Sequence, residues 1–451
     1  MYIRRKFDDA LMAWKKDALH KPLLLRGARQ TGKTTAVREL ARSFDHYIEV
    51  NFEKNPEFCT LFEGAYDVNA ICRKLEVIVR TPIVDGRTLV FFDEIQACPR
   101  AISALRYFYE DRQALHVVAA GSLLEFVFSE ISDFGVGRIR NLFVYPFSFA
   151  EFATAVGLES ALEEARRATF EAPTFGLIHE QLLAALKDFL VVGGMPAAVL
   201  RFVRTKNYLE VQEEQNDILT TLKADFGKYK KRIRPELVRQ TLTSVIQQTG
   251  EKFTYTDSDL GLKYADSKMC ADLLCLARLV HRVESCHANG VPLGGDVNVK
   301  RNKLLFFDTG LYLREAQLDL AAWIADSAAT FVNRGKLAEM FVGLELKKAG
   351  SPLEDNGLYY WHREAKSANA EVDYLVQHRN RIVPIEVKAG KKGAMKSLAM
   401  LMREKGLPLG IRTSQENLSR MGDVAIIPLY LIGESARWTS EASCEAGRRG
   451  K

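Results

Sequence analysis

Gly27-Ala28-Arg29-Gln30-Thr31-Gly32-Lys33-Thr34 fits the pattern G-x-x-x-x-G-K-[ST], and its flanks supply the setting that such a loop needs. The apolar run Pro22-Leu23-Leu24-Leu25 leads in as a strand, and Thr35-Ala36-Val37-Arg38-Glu39-Leu40-Ala41 leads out as a helix. Glycines let backbone N–H groups curl around a phosphate, and the helix N-terminus adds the positive end of its dipole. The stretch from Gly27 to Thr35 is therefore expected to cradle a nucleoside triphosphate, with ATP as the cofactor. Lys33 would reach the β/γ-phosphates, and the Thr34 hydroxyl would ligate Mg²⁺.

The second half of such a site is an acidic pair at the end of a buried strand. Thr88-Leu89-Val90-Phe91-Phe92 is a continuous run ending in Asp93-Glu94, as a central parallel strand should. Asp93 is expected to hold Mg²⁺ through water, and Glu94 to polarise the water that attacks the γ-phosphate. A further strand, His116-Val117-Val118-Ala119-Ala120, ends in Gly121-Ser122. Ser122 can touch the γ-phosphate or the attacking water, or it can cap a following helix. The residues alone leave both readings open.

A chain of 451 residues exceeds what one core organises, so two to four domains are expected. Apolar content of 47% is ordinary for soluble globular chains. The richest apolar stretch, Ala114 to Phe128, is interrupted by His116 and Glu125, which argues against a membrane span. The opening Met1-Tyr2-Ile3-Arg4-Arg5-Lys6 lacks the apolar core of a secretory signal. The seven cysteines have no C-x-x-C spacing and read as reduced thiols of a cytoplasmic protein. The net charge of +6 permits nucleic-acid binding without requiring it.

Along the chain the pattern changes three times. Strands Leu23–Leu25, Tyr47–Asn51, Leu89–Phe92 and His116–Ala120 alternate with helical patterns, which predicts a three-layer α/β fold on a parallel sheet. Residues 150–205 read as a helical lid on that core and include the turn Gly193-Gly194-Met195-Pro196, so the first domain is drawn as 1–205. Residues 206–325 are mostly helical, with a strand at Lys303–Phe307, and are compatible with a winged helix. Residues 326–432 form a small α/β domain with a helix at Lys336–Lys348 and a final strand at Val424–Leu431. The tail 433–451 is Ser-, Ala-, Gly- and Arg-rich, and is expected to be disordered.

That last domain holds a second candidate site. Glu386 and Lys388 lie two apart on a strand and so share a face. Asp373 lies on the neighbouring strand of a hairpin that turns at Gln377-His378-Arg379-Asn380, and Glu339 lies on the preceding helix. The spacing D-x₁₂-E-x-K matches the nuclease pattern PD-(D/E)-x-K. Asp373 and Glu386 are the expected metal ligands, Glu339 an outer ligand or base, and Lys388 the stabiliser of an attacking hydroxide. The tripeptide itself is weak, because Glu345-Leu346-Lys347 and Glu364-Ala365-Lys366 also fit it. The competing reading is a salt-bridged strand edge, with Lys388 pairing Asp373 and Pro384 marking the edge. Basic runs at Lys228-Tyr229-Lys230-Lys231-Arg232-Ile233-Arg234 and at Lys391, Lys392 and Lys396 suit either a solvated face or nucleic acid.

Taken together these segments resemble the prokaryotic AAA-type ATPases that carry a C-terminal restriction-endonuclease-like domain. The resemblance runs from Tyr2 to about Tyr430 and includes the loop at Gly27–Thr34, Phe92-Asp93-Glu94-Ile95-Gln96 and Ala120-Gly121-Ser122. It continues through Gly137-Arg138, Tyr145-Pro146-Phe147-Ser148-Phe149, Gly193-Gly194-Met195-Pro196, Leu337-Ala338-Glu339, Glu371-Val372-Asp373 and Pro384-Ile385-Glu386-Val387-Lys388. It implies an ATPase core, a winged-helix middle and a nuclease-like C-terminal domain. DNA, a second copy of the chain and a protein are the implied partners, and a membrane is not. Arg138, with Arg140 behind it, is the implied arginine finger supplied by a neighbouring subunit. Two departures stand out: Gly135-Val136-Gly137-Arg138 replaces the more usual Leu-Ala-Gly-Arg, and His362 follows Trp361 where arginine is common.

Overall fold

The computed structural model describes residues 2–122, 124, 137–229, 233–317, 335–363, 369–390 and 395–438. Gly135-Val136, Lys230-Lys231-Arg232, Glu364-Ala365-Lys366, Lys391, Lys392 and the tail from 439 lie outside them. The chain divides into two compact units. The first comprises Met1–Tyr145 with the short returns Leu276–Arg278 and Ser351–Asp355, and the second holds the rest.

The first unit is built on five parallel strands: β1 (Leu23–Arg26), β2 (His46–Asn51), β3 (Thr88–Asp93), β4 (His116–Gly121) and β5 (Arg140–Phe143), in the order β2-β3-β4-β1-β5. β5, paired to β1, was not expected from the sequence. Strand parity sorts the apolar residues onto two faces. Leu24, Val90, Phe92, Val117 and Ala119 pack with helices α3 (Val68–Val79) and α4 (Pro99–Asp111). Their neighbours Leu23, Leu25, Leu89, Phe91, Val118 and Ala120 pack with α1 (Lys6–Lys16) and α2 (Lys33–Ala41). Both faces are dry, which is why these strands read as unbroken hydrophobic runs instead of alternating ones.

The second unit carries an eight-stranded mixed sheet. Its strands are β6 (Val280–Cys286), β7 (Val297–Phe306), β8 (Leu358–Arg363), β9 (Ala370–His378), β10 (Arg381–Val387), β11 (Gly410–Ser414), β12 (Ser419–Met421) and β13 (Val424–Pro428). They run in the order β12-β13-β11-β10-β9-β8-β6-β7. The β6–β7 hairpin, from the expected middle domain, continues the C-terminal sheet through parallel pairing of β6 with β8. Pro384 does not mark an edge, because β10 lies between β9 and β11. The ladder to β11 begins only at Ile385, so the missing N–H of proline lies beyond its end. The strand expected at Val424–Leu431 stops at Pro428 and becomes a 3₁₀ turn over Leu429–Glu434. Residues 433–438, expected to be part of a disordered tail, are folded: Trp438 is fully buried against Phe170, and Arg437 donates to the Ala168 carbonyl.

Helices expected as a lid belong to this second unit. Phe149 and Phe152, on α5 (Phe149–Ala155), pack on Phe189 of α7 (Gly176–Val192), with α6 (Glu159–Arg167) between them in the chain. α8 (Pro196–Thr205) follows the turn Gly193-Gly194-Met195, where Gly193 takes φ +74°. The Gly194 N–H donates to Asp308 at 2.7 Å, and its carbonyl accepts from Phe147 N–H at 2.7 Å. A Cβ at Gly194 would lie 2.3 Å from the Phe147 carbonyl oxygen, so only glycine fits. Asp308 also accepts from Leu311 N–H, while Glu345 accepts from Phe149 N–H and pairs with Lys348. Two of the segments that carry the family resemblance are thus a buried joint, held by Asp308 and Glu345, whose partners are backbone N–H groups and the Lys348 ammonium.

Among the described residues no helix is long and apolar enough to cross a membrane. One feature of the first unit responds to acid. His20 and His116 stack with ring centroids 4.0 Å apart beside Trp14, and neither Nδ1 has a hydrogen-bond partner. Burial, and next the neighbouring His116, push the His20 pKa down to about 4, and burial lowers His116 as well. The unfolded chain therefore takes up these protons first, and stability falls as pH drops from 6.5 toward 4. Thermal unfolding should show a loss of roughly 3 kcal/mol from His20 over that window, and His20→Leu should shrink the gap between melting temperatures at pH 7.5 and 4.5.

Candidate functional site

At the carboxyl end of β1 the loop makes its turn through two left-handed residues, Gln30 (φ +63°) and Gly32 (φ +92°), and α2 begins at Lys33. The Lys33 ammonium, 8% exposed, folds back to donate to the carbonyls of Gly27 at 3.0 Å and Ala28 at 2.7 Å. Thr31 closes the loop from within by donating to the Ala28 carbonyl at 2.9 Å. Arg5 braces it from outside, donating to the carbonyls of Thr31 and Tyr145. Gly27 has a second reason to be glycine: a Cβ there would sit 2.1 Å from the Val144 carbonyl oxygen, just past β5.

Asp93 ends β3 beside this loop. Its carboxylate accepts from the Thr34 hydroxyl at 3.2 Å and from the Asn51 amide at 3.1 Å. Burial, and then the adjacent Glu94, raise the Asp93 pKa above its ordinary value. A divalent cation beside the Thr34 hydroxyl would supply the charge this carboxylate lacks, and the half-folded Lys33 would meet the anion, so the residues present fit Mg²⁺ and a triphosphate. Glu94 sits in the left-handed region at φ +49°, a conformation that costs a non-glycine residue roughly 1–2 kcal/mol. Its carboxylate accepts from Gln96 at 2.5 Å. The Gln96 carbonyl oxygen is buried without a hydrogen-bond partner and lies where a Cβ on Gly121 would come within 2.4 Å. Ser122 is buried at the end of β4. Arg138 pairs with Glu110 at 3.3 Å, and Arg140 pairs with Asp17 at 3.2 Å.

Asn51 and Gln96 were not read as site residues. Asn51 stands directly across from Asp93 in the β2–β3 register, which could not be known before the strand order was. Gln96 is a local signal, a polar side chain two residues from Glu94 in an otherwise apolar stretch.

In the second unit, α13 (Gly335–Ala349) lies against the sheet, with Tyr374 Oη donating to the Glu339 carbonyl at 2.8 Å. Asp373 accepts from Val387 N–H at 2.6 Å, one step past the Ile385–Tyr374 pair. Lys388 pairs with Glu386 at 2.7 Å, not with Asp373. Burial first, then Glu339 and Glu386, push the Asp373 carboxyl well above its ordinary value, and burial raises Glu339 against the pull of Lys303. Lys303 and Glu371, missed in the sequence, complete the group: the Lys303 ammonium lies 2.6 Å from Glu339 and 2.5 Å from Glu371. Glu371 shares the Asp373 face by parity, whereas Lys303 comes from β7, far away in the chain. Among the described residues no group of three or more His, Cys, Asp or Glu side chains is arranged to hold a metal ion.

The fold and loop define a P-loop ATPase domain of the AAA type. Residues 19–153 match the family described as "AAA domain". Residues 183–321 match a domain of unknown function (DUF8612), and residues 334–432 another (DUF4143). Similar solved structures include the Walker-type ATPase PABY2304 of Pyrococcus abyssi, at 13% identity over 70% of this chain and 96% of that one, with a TM-score of 0.43. The Aeropyrum pernix ORC1 protein in complex with DNA is 16% identical over 71% of this chain and 92% of that one, with a TM-score of 0.26. No protein of curated function matches the chain in sequence.

Gly27→Ala tests the crowded loop. The added methyl meets backbone, so melting temperature should fall by about 4–10 °C, as an overpacked core loses roughly 1–3 kcal/mol. Binding of a fluorescent ATP analogue should weaken in parallel. Gly176→Ala, which meets open space, should leave both unchanged.

Proposed function

We propose that the chain is a Mg²⁺-dependent ATPase that couples nucleotide turnover to the engagement of DNA by a nuclease-like second unit. The observation that carries the ATPase reading is the pairing of Thr34 with Asp93 at the head of α2, next to a buried Lys33 turned onto the loop carbonyls. Backbone N–H groups from Gly27 to Thr35 hold phosphate oxygens, Lys33 faces their charge, and Thr34 and Asp93 hold Mg²⁺, which neutralises charge on the phosphates when bound. Glu94, once released by Gln96, accepts a proton from the attacking water, and Ser122 positions that water. Arg138, with Arg140 as the fallback, faces the nucleotide of a neighbouring copy. The basic segments around Lys228 and Lys396 support DNA as the partner.

A second reading has a specific observation in its favour: the ATPase switches a DNA- or protein-binding module whose nuclease-like site is silent. Lys303 already fills the carboxylate cluster that a metal-dependent cut would need. Incubating plasmid with Mg²⁺ or Mn²⁺, with and without ATP, separates the two. Metal-dependent cutting that Glu386→Ala abolishes while ATPase persists supports the nuclease, and uncut plasmid supports the silent module.

Lys33→Ala should abolish most ATP hydrolysis, since removing a preorganised charge from a transferring phosphoryl group costs roughly 10²–10³ in rate. Glu94→Gln should keep nucleotide affinity and slow turnover by about 10²–10⁴. Wild-type turnover in that variant would remove Glu94 from its role. For Arg138, ATPase activity per subunit should rise with protein concentration in the wild type and lose that dependence in Arg138→Ala. A monomer by light scattering in ATP, with flat specific activity, would exclude an arginine supplied in trans.

A further inference from the structure

We propose that the open cleft between α9 (Tyr208–Asp225) and α12 (Thr309–Glu315) in the second unit seats a phosphodiester of the DNA backbone, with Arg314 as its anchor. The inference rests on the reading of DNA as the partner. The cleft holds about 530 Å³, and its lining is mostly polar, from Asn216, Thr220, Lys223, Arg314, Glu315 and Gln317. That volume is many times the roughly 30 Å³ of a water molecule, which admits the sugars flanking a phosphate. Arg314 Nε donates to the Asn216 side-chain oxygen at 2.6 Å and so fixes the plane of the guanidinium. Among the described residues Arg314 has no other hydrogen-bond or ion-pair partner. Its two Nη groups are left as a fork, the geometry that grips two oxygens of one phosphate. On the facing helix Lys223 pairs with Glu315 at 2.8 Å. That pair neutralises the one carboxylate of the lining and leaves the Arg314 charge in excess. A backbone phosphodiester carries one negative charge, whereas a terminal phosphate carries nearly two, so the charge suits the diester. The exposed Thr220 hydroxyl and the Asn216 amide nitrogen add neutral donors.

Both walls are held from their buried side. Gln215, the neighbour of Asn216, donates to the carbonyls of Val191 and Val192 at 2.8 and 3.0 Å. Asp308 caps α12 by accepting from Leu311 N–H, and a Cβ at Gly310 would lie 2.5 Å from the Val192 carbonyl oxygen. The guanidinium is thus presented by two helices fastened to α7, which leaves little to be ordered on binding. α9 runs on from Lys223 into a 3₁₀ turn over Phe226–Tyr229. Lys228, the first cation of the basic run, therefore follows Lys223 by little more than one helical turn. A basic run attracts a polyanion without direction, and the cleft supplies the directed contact that positions it.

Binding of a fluorescein-labelled DNA duplex to the full chain, followed by anisotropy between about 50 and 200 mM salt, tests the seat. Arg314→Met should weaken binding roughly tenfold and reduce the slope of log affinity against log salt by about one. Arg314→Lys should keep the slope but recover only part of the affinity, because a point charge lacks the fork. Thr220→Asp, at an exposed position, should weaken binding by repulsion and serves where Arg314→Met does not fold. Arg87→Met, which removes the same charge from the first unit, should match the wild type. Unchanged affinity and slope in Arg314→Met, or unchanged affinity in Thr220→Asp where the first does not fold, would overturn the seat and leave the DNA reading standing. An equal loss in Arg87→Met would also overturn it, as an effect of net charge alone. The phosphorus NMR line of dimethyl phosphate, a diester without bases, judges the cleft independently. Broadening that Arg314→Met removes, in a chain that binds no DNA, supports the diester seat and removes the DNA reading. Neither DNA binding nor such broadening would overturn both.

Discussion

Because β4 hydrogen-bonds to both β1 and β3, the carboxyl ends of three strands lie side by side. The phosphate loop, the Asp93-Glu94 pair and Ser122 emerge from those three ends, so none could be moved without breaking a ladder. In open α/β sheets ligands collect at that edge of the sheet, where helix N-termini and strand ends converge. The adjacency also explains several residues whose chemistry is silent. Gly27 is small because the chain leaving β5 passes over it, and Gly121 is small because Gln96 needs the space. Asn51 reaches Asp93 because β2 runs in register with β3.

The second unit is governed by a different constraint, the cost of burying charge. Asp308, Glu345, Glu339 and Lys303 are all buried, and each has partners that offset its desolvation. At Asp308 and Glu345 the partners are backbone N–H groups and Lys348, and the result is a buried joint between α5, α7, α13 and α12 (Thr309–Glu315). At Lys303 the partners are carboxylates whose number exceeds the ammoniums present. Asp308 and Glu345 leave no buried oxygen without a hydrogen-bond partner, whereas in the second arrangement Glu386 keeps Oε2 without one. An unsatisfied buried network is where binding or switching is expected, because a ligand there relieves a cost the fold already bears.

The two units also differ in how they treat their acidic side chains. In the first, Asp93 is paired with neutral donors and keeps room for a cation. In the second, the comparable carboxylates are closed over an internal one. The carboxylates of the second unit are thus neutralised by ammoniums of the chain itself, whereas Asp93 is held by neutral donors alone.

Local patterns in the chain were enough to place β1, β3 and β4, the phosphate loop, the acidic pair and the hairpin of β9 and β10. Each is set by short-range rules: apolar runs that must be dry on both faces, glycines that turn around an anion, and two-residue parity that puts Glu386 with Lys388. Even the pairing of the Asp373 and Glu386 strands was legible, since a short turn leaves a hairpin few alternatives. What tertiary structure alone decided involves residues far apart in the chain. Strand order brought Asn51 to Asp93, sheet continuation made Pro384 internal, and the joint around Asp308 took in the Gly193-Gly194-Met195-Pro196 turn read as part of a lid. Lys303 is the clearest case. Nothing in Lys303-Leu304-Leu305-Phe306 distinguishes it from a strand-end lysine. Only the pairing of β6 with β8 carries β7 close enough for its ammonium to enter an acidic cluster built from residues 339 to 386.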